Sequence, residues 1–182
     1  YGHEGKSDEH NEYFKQGMNA TLIQDTYVSG LTGRHSMVIS SPVRDEIGKV
    51  IAIFAARLNL ETLHRMIRVE KGLGNTGETV VGKKIEEEII FMAPTRHDDN
   101  AALTRKVEIG SELAFMIQEA ARQREGSGIA KDYRGEMTLA AWRYIPSLQW
   151  GLVAKMDASE ALEPIRNMRF QIAFIAVLLT VL

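Results

Sequence analysis

The most recognisable chemical pattern in the chain is a run of glycines at residues 72–77 (GLGNTG), which has the spacing of a dinucleotide-binding loop. That loop needs a strand before the glycines and a helix after them, so that the helix N-terminus faces the pyrophosphate. Here residues at helical spacing precede the glycines and a strand-like run follows them. The pattern therefore predicts a helix end followed by a turn, and no cofactor site is predicted.

Residues that ligate metals or act as nucleophiles are few or unsuitably spaced. The chain has no cysteine and five histidines, and no two histidines have the i, i+4 spacing that places both on one helix face. The serines at residues 40–41 and 127 lack the nucleophile-elbow pattern. Residues 97–99 (HDD) are interpreted as a solvated loop rather than a cation site. The sequence predicts no catalytic residues and no metal site.

Aromatic side chains offer a different chemistry, the lining of a small-molecule pocket. Trp142 and Tyr144 are two residues apart on one predicted strand, so both point to the same face of the sheet. Tyr133 is predicted on the adjacent strand, and Phe91 on another. Two interpretations stay open: these rings pack the core beneath the helices, or they line a concave pocket with polar tips.

Composition limits the class of protein. A chain of 182 residues forms one or two small domains, taking roughly 150 residues per domain. With 45% hydrophobic and 25% charged residues, wholesale disorder is excluded. The formal net charge of −2 gives no electrostatic reason to expect a nucleic-acid partner.

The C-terminal segment is much more apolar than the rest, because eleven of the thirteen residues at 170–182 are apolar. As a helix it spans roughly 20 Å, short of the roughly 30 Å hydrocarbon core of a bilayer. It is interpreted as the start of a membrane helix, with a buried core helix as the alternative. Residues 1–11 are polar and do not resemble a signal peptide. We therefore expect a piece of a longer membrane protein.

Sequence patterns predict a hairpin and a helix in the first third of the chain. Residues 36–43 and 49–58 are strand-like, and residues 45–48 (DEIG) supply the turn between them. Residues 13–17 end a helix, and residues 25–33 have the composition of a loop. A further helix follows Asn59, which is predicted as its cap.

The remainder predicts an antiparallel sheet with helices on one side, an α+β architecture. A helix is predicted around Leu113, Ile117 and Ala121. Asp157 and Glu160 are spaced as a capping pair that opens the last helix. The predicted strands are residues 78–82, 88–93, 128–133, 136–144 and 149–156, the first two joined through the charged residues 83–87.

Several of these segments, in this order, resemble parts of Cache sensor domains, the extracytoplasmic relatives of PAS domains. Residues 39–51 are similar to the strand–turn–strand of that family, and residues 74–78 resemble the turn into the membrane-proximal sheet. The last three strands and the exit helix are matched by residues 132–135, 141–146, 150–153 and 157–164. The resemblance covers residues 13–165 and indicates a double Cache domain that lacks most of its first module.

The resemblance implies a periplasmic or extracellular ligand sensor in a membrane receptor, without enzymatic activity in this part of the protein. It divides the chain into a remnant of the distal Cache module at 1–60, a membrane-proximal module at 61–157, and an exit helix leading into a membrane span at 158–182. A histidine kinase is the expected output module, with a diguanylate cyclase or a chemoreceptor as alternatives. A structural or dimerisation module that binds nothing is a further alternative.

Amino-acid-binding members of the family carry an arginine before an aromatic pair, a later tyrosine, and an aspartate at the end of the hairpin. In this chain Tyr13 begins the aromatic pair and Tyr27 is the later tyrosine, but Asn11 and Arg57 stand at the two ionic positions. Arg57 favours a small anion or carboxylate, which a guanidinium binds through two hydrogen bonds. The predicted ligand-binding residues are Tyr13, Tyr27, Ser40, Arg57, Phe91, Tyr133, Trp142 and Tyr144.

The last helix carries apolar residues at three- and four-residue steps. This spacing suits the seam of a parallel homodimer, and it equally suits packing against the helix's own module. Ligand binding in such a receptor has to shift this helix between two states. The residues concerned are Leu162, Ile165, Met168, Ile172 and Ile175.

Overall fold

The computed structural model describes residues 12–28, 35–58, 60–68, 72–165 and 168. The chain divides into two compact units, residues 1–66 and 67–182. The assignment of residues 1–60 and 61–157 to a distal and a membrane-proximal module stays a prediction.

The first unit contains a three-stranded antiparallel sheet in the order β1-β2-β3. The Asp45 carboxylate fixes the predicted hairpin between β2 and β3, because its Oδ1 accepts hydrogen bonds from the backbone N–H groups of Ile47 (3.1 Å) and Lys49 (2.8 Å). Gly48 supplies the left-handed φ of +85° that closes the turn. The hairpin is confirmed. The elements are α1 (Glu12–Gly17), β1 (Leu22–Val28), β2 (His35–Arg44), β3 (Val50–Leu58) and α2 (Leu60–Ile67).

Strand β1 was not predicted, and the loop expected at residues 25–33 is wrong over its first four residues. Asp25, Thr26 and Tyr27 lie on β1, where pairing with β2 outweighs the low strand preference of Asp25. The register shifts between Gln24 and Tyr27, which breaks the alternation that sequence patterns detect. Helix α2 begins at Leu60 as expected, while its predicted cap, Asn59, lies outside the described residues.

The second unit contains a six-stranded antiparallel sheet in the order β6-β5-β4-β9-β8-β7, which confirms the α+β prediction. Neighbouring strands in the last half of the unit are also neighbours in sequence, as the short predicted connections require. The elements are β4 (Glu78–Ile85), β5 (Glu88–Phe91), β6 (Lys106–Glu108), α3 (Phe115–Ala121), β7 (Gly126–Lys131), β8 (Met137–Ile145), β9 (Trp150–Asp157) and α4 (Ala158–Ala161).

Helix α3 packs on one face of this sheet and closes the core of the unit. Its buried residues Met116, Ile117 and Ala120 belong to one cluster with Val80 and with other buried side chains of the sheet. The approach is so close that a Cβ on Gly151 would lie 2.6 Å from the backbone nitrogen of Ala121. A glycine is therefore required at that point of β9.

Several expectations for the second unit differ in detail from the structure. Strand β7 ends at Lys131, so Tyr133, which was predicted on this strand, lies in the turn that follows it. The connection after β4 is only Glu86 and Glu87, with Glu86 at a φ of +54°, so the charged residues before it belong to the strand. Strand β6 has only three residues and was not predicted. Leu113 precedes α3 rather than belonging to it, and it is exposed.

The predicted capping pair is wrong. Asp157 precedes α4 but makes no side-chain capping hydrogen bond. Its carboxylate instead accepts a hydrogen bond from Arg134, and Glu160 binds a distant turn. Within the described part of the chain, no helix is long and apolar enough to cross a membrane; the apolar segment at 170–182 lies outside that part.

Candidate functional site

In the first unit, helix α1 is anchored on the sheet at Ser40. Ser40 is completely buried, and its Oγ donates a 2.8 Å hydrogen bond to the backbone carbonyl of Tyr13. A Cβ on Gly17 would lie 2.6 Å from the same Oγ, so α1 approaches β2 closely there. Ser40 therefore positions the helix that carries the predicted aromatic pair, and its hydroxyl is already used in doing so.

Arg57 lies on the same face of this sheet as Ser40. It is directly opposite Val38 in the β2–β3 register, and Val38 and Ser40, two residues apart, point to one face. The Arg57 side chain is exposed. Tyr27 is paired with Ser36, but its side chain lies outside the described residues. The structure thus brings Ser40, Arg57 and helix α1 to one face of the sheet.

In the second unit, the predicted aromatic residues lie on the face covered by α3. Phe91 and Tyr133 are buried and meet edge to face, with ring centroids 5.5 Å apart. Trp142 packs edge to face against Phe115 at 6.1 Å, above Gly126, whose missing side chain leaves room for the indole. Tyr144 is half-buried on the same strand as Trp142.

The space beside the rings of Phe91 and Tyr133 is small. A cavity of about 10 Å³ is lined by core residues and has room for about one water molecule. Its lining residues are Val80, Phe91, Ala114, Met116, Ile117, Tyr133, Val153 and Lys155. In this structure Phe91 and Tyr133 therefore belong to a filled core rather than to an open pocket.

Beside this core lies a buried ionic cluster that was not predicted from the sequence, formed by Lys155, Glu78 and Asp132. The Lys155 Nζ lies 2.6 Å from Glu78 Oε1 and 2.6 Å from Asp132 Oδ2. No more than 4% of any of the three residues is exposed. Glu78 and Lys155 are direct partners in the β4–β9 register, so the sheet itself places the opposite charges together. The available signal was a lysine among the apolar residues of β9.

Tyr133 links the ionic cluster to the aromatic core. Its hydroxyl donates a 2.8 Å hydrogen bond to Glu78 Oε1, and the Lys155 ammonium lies 4.8 Å from the centre of its ring. Burial raises the pKa of the Tyr133 phenol, and the Glu78 carboxylate raises it further, so the hydroxyl stays a donor. The other Glu78 oxygen accepts a 2.8 Å hydrogen bond from the Arg96 N–H.

Asp132 is also fully paired. Burial alone would raise the pKa of its carboxyl group, but hydrogen bonds from Lys155 and Arg134 outweigh burial and lower it. The Arg134 Nε donates to Asp132 Oδ2 at 2.7 Å, and the same guanidinium binds Asp157. Each buried carboxylate thus has a cationic partner and further donors, which is the condition under which buried charge is tolerated.

This cluster has the chemistry of a structural network. Hydrogen bonds from Lys155 and Arg134 lower the pKa of Asp132 despite its burial, and Glu78 is paired with Lys155, so both carboxylates are used within the cluster. Across the described ranges, no three histidine, aspartate or glutamate residues are grouped to hold a metal ion. Arg57 in the first unit is, by contrast, exposed.

The fold is shared with extracellular sensor domains. The extracellular domain of mmHK1S-Z3, a protein assigned as a histidine kinase, has a TM-score of 0.63 at 14% identity, over 87% of this chain and 58% of that chain. The periplasmic sensory domain of the Campylobacter jejuni chemoreceptor Tlp1 has a TM-score of 0.60 at 11% identity, over 86% and 58%. The Pseudomonas aeruginosa amino acid chemoreceptor PctC, solved with GABA, has 0.55 at 17%, over 85% and 64%.

The chain spans 58–64% of the length of these three structures. Residues 3–165 match the family model of the Cache domain, and the chain belongs to that family. The resemblance identified from the sequence is therefore confirmed. Comparison with curated protein sequences gave no significant match.

Proposed function

We propose that this chain is the extracytoplasmic ligand-sensing region of a membrane receptor whose output module is a histidine kinase. The observation that carries the proposal is the Cache match over residues 3–165, together with a fold shared with extracellular domains of receptors. Chemoreceptors have the same fold, so a chemoreceptor output is the first alternative and a diguanylate cyclase the second.

Phosphotransfer distinguishes these outputs. The intact protein in membrane vesicles, given radiolabelled ATP, should incorporate acid-labile phosphate on a histidine of its output module. Substitution of that histidine by glutamine should abolish labelling, while the stability of the sensor region is unchanged. An intact protein that incorporates no phosphate, or that synthesises cyclic diguanylate from GTP, would rule out the kinase assignment.

The proposed ligand is a small carboxylate bound in the first unit, with Arg57 as its ionic partner. The support is positional, since Arg57 is exposed on the face that carries Ser40 and helix α1. A guanidinium on such a face suits the two oxygens of a carboxylate. The related chemoreceptor PctC was solved with GABA, whose carboxylate makes it a reasonable first probe.

Thermal-shift measurements on the intact protein test this assignment with GABA and succinate as probes. A probe at a hundred times its Kd should stabilise the protein by about 2.7 kcal/mol. Arg57→Ala should remove the shift and Arg57→Lys should retain part of it. Arg65→Ala, which removes an exposed arginine of α2, should leave the shift intact. A shift that survives Arg57→Ala would show that Arg57 is not the anchor.

A second proposal is that the second unit binds no ligand and transmits the signal. Its support is the cavity of about 10 Å³, too small for an amino acid or a dicarboxylate, and the use of every charged group in the buried cluster for internal pairing. The aromatic residues there are then core residues. We expect Arg57→Ala alone to remove the thermal shift that the ligand causes. Trp142→Phe should leave that shift unchanged.

Pairing of two receptor copies through the last helix is the proposed route of transmission. Leu162, Ile165 and Met168 are exposed by 43%, 55% and 57%, which supports a seam available to a partner rather than one packed on its own unit. Single cysteines at residues 165–176 of the membrane-embedded protein should cross-link with helical periodicity, and the ligand should change the pattern. A flat profile would exclude this seam.

A further inference from the structure

Helix α4, by which the chain leaves the second unit, has no buried residue. A four-residue helix without an apolar anchor has little intrinsic stability, because short isolated helices do not persist in water. Its placement therefore depends on polar contacts made by its own residues and by the residue before it.

The main polar contact is between Glu160 and a turn 84 residues earlier in the chain. The backbone N–H of Asn75 donates to Glu160 Oε1 at 2.7 Å, and that of Thr76 donates to Oε2 at 2.8 Å. The Thr76 hydroxyl donates to the same Oε2. Three donors from two adjacent residues thus hold one carboxylate, as successive N–H groups do in anion-binding turns.

The same turn also holds the residue at which β9 becomes α4. The Thr76 Oγ1 accepts a 3.1 Å hydrogen bond from the backbone N–H of Asp157, and the Asp157 carboxylate is bound by Arg134. The Thr76 hydroxyl therefore bridges Asp157 and Glu160, three residues apart, so the start of α4 is fixed at two points.

This arrangement requires a glycine at position 74 of the turn. Gly74 has a φ of +67°, and a Cβ there would overlap the Glu160 carboxylate. The backbone and side-chain hydrogen bonds from Asn75 and Thr76 lower the pKa of Glu160, so it is ionised at neutral pH. The glycine pattern with dinucleotide-loop spacing thus binds an anion, and that anion belongs to the chain itself.

We propose that the Asn75–Thr76 turn and Glu160 form a clasp, through which the segment that enters the second unit sets the position of the helix that leaves it. The second unit begins at Ile67, where α2 ends; residues 72–77 lead into β4, and the chain leaves the sheet through α4. A change in the entering segment can then reach α4 without deforming the six-stranded sheet. Its use in signalling rests on the proposed receptor function, but the mechanical link does not.

Hydrogen exchange measured by mass spectrometry on the intact protein tests the clasp without any ligand. The perturbation is Gly72→Ala, which strains the entering turn because Gly72 has a φ of +89° and open space around it. The readout is the exchange of residues 158–165, including the Leu162 amide that bonds to the Ala158 carbonyl. We expect Gly72→Ala to accelerate this exchange about fivefold, as loosening by about 1 kcal/mol would do.

The decisive comparison repeats the perturbation in a Glu160→Gln background, where Gly72→Ala should no longer change the exchange of residues 158–165. Glu163→Gln, which alters an exposed carboxylate of the same segment, is the matched control and should preserve the fivefold response. Should Gly72→Ala prevent folding, Thr76→Val replaces it, with Thr76→Ser as the conservative variant that keeps the link. No response in the wild-type background, or equal responses with and without Glu160, would overturn the clasp. Loss of carboxylate binding with the clasp intact would affect the proposed ligand only.

Discussion

The two units differ in where the charged groups of their candidate sites lie. In the first unit, Phe54 on β3 is 64% exposed and Arg57 on the same strand also faces outward. In the second unit, Lys155 and its two carboxylate partners lie inside, and the sheet face under α3 is packed with apolar side chains. Outward-facing charge is available to a ligand, whereas inward, fully paired charge is already used within the fold. The contrast favours recognition in the first unit and transmission in the second.

The largest loss of stability is expected when the central cation of the second unit is removed. Lys155→Met leaves Glu78 and Asp132 buried without their shared partner, which typically costs about 3–5 kcal/mol. Urea unfolding should show this loss. Lys106→Met, which removes an exposed partner of Glu88, should cost about 1 kcal/mol or less. Equal losses for the two variants would mean that the buried cluster does not stabilise the unit.

Alanine substitution of one phenylalanine in each unit compares how much apolar packing contributes to stability in the two units. Phe91 is fully buried, so Phe91→Ala should destabilise the protein by about 3–5 kcal/mol. Phe54→Ala, at a position that is largely exposed in this structure, should change stability by about 0.5 kcal/mol or less. Denaturant midpoints of the two variants give the measurement. A large loss for Phe54→Ala would show that the β3 surface is covered in the intact protein.

Most of the fold is predictable from the sequence because local patterns determine most of its elements. The β2–β3 hairpin follows from the Asp45–Gly48 turn, and the β8 and β9 strands follow from alternation and short connections. Strand β1 was not predicted because a register shift interrupts the alternation of its residues. Strand β6 was not predicted because three residues are too few to show the alternation of a strand.

The candidate site was less predictable, because its decisive contacts join residues far apart in sequence. Glu78 meets Lys155 only through the β4–β9 register, and strand register between distant segments cannot be deduced from either segment alone. The same limit explains the wrong capping pair: Asp157 and Glu160 have the right spacing, but stronger donors from Arg134 and Asn75 take their carboxylates. The resemblance supplied Arg57, which spacing alone would not have selected.

A smaller effect is expected where helix and sheet meet most closely. Gly151→Ala places a Cβ against the backbone of α3, and the resulting displacement should cost about 1–3 kcal/mol. Gly128→Ala is the matched control, because a Cβ there meets only the edge of Trp142 at 3.8 Å. Thermal unfolding of both variants tests the contact. A neutral Gly151→Ala would show that α3 can move away from β9 at no cost.

The smallest expected effect is on how the free energy of unfolding depends on pH. It compares a carboxylate of the buried cluster with one at the surface. The folded-state pKa of Asp132 lies below its ordinary value of 3.8, because hydrogen bonds from Lys155 and Arg134 outweigh burial. The unfolded chain therefore binds the proton more tightly, so this contribution to stability is complete above the ordinary value and is lost as the pH falls through the folded-state pKa. The free energy of unfolding, measured by urea titration between about pH 6 and pH 3, should fall less steeply in Asp132→Asn than in the wild-type protein. Asp99→Asn, which removes an exposed carboxylate that pairs with Arg68 at the surface, is the matched control for the loss of one negative charge. Parallel slopes for the wild type and Asp132→Asn would mean that Asp132 gains no more from its partners when folded than it does in the unfolded chain, and the second unit would then lack the paired interior that distinguishes it from the first.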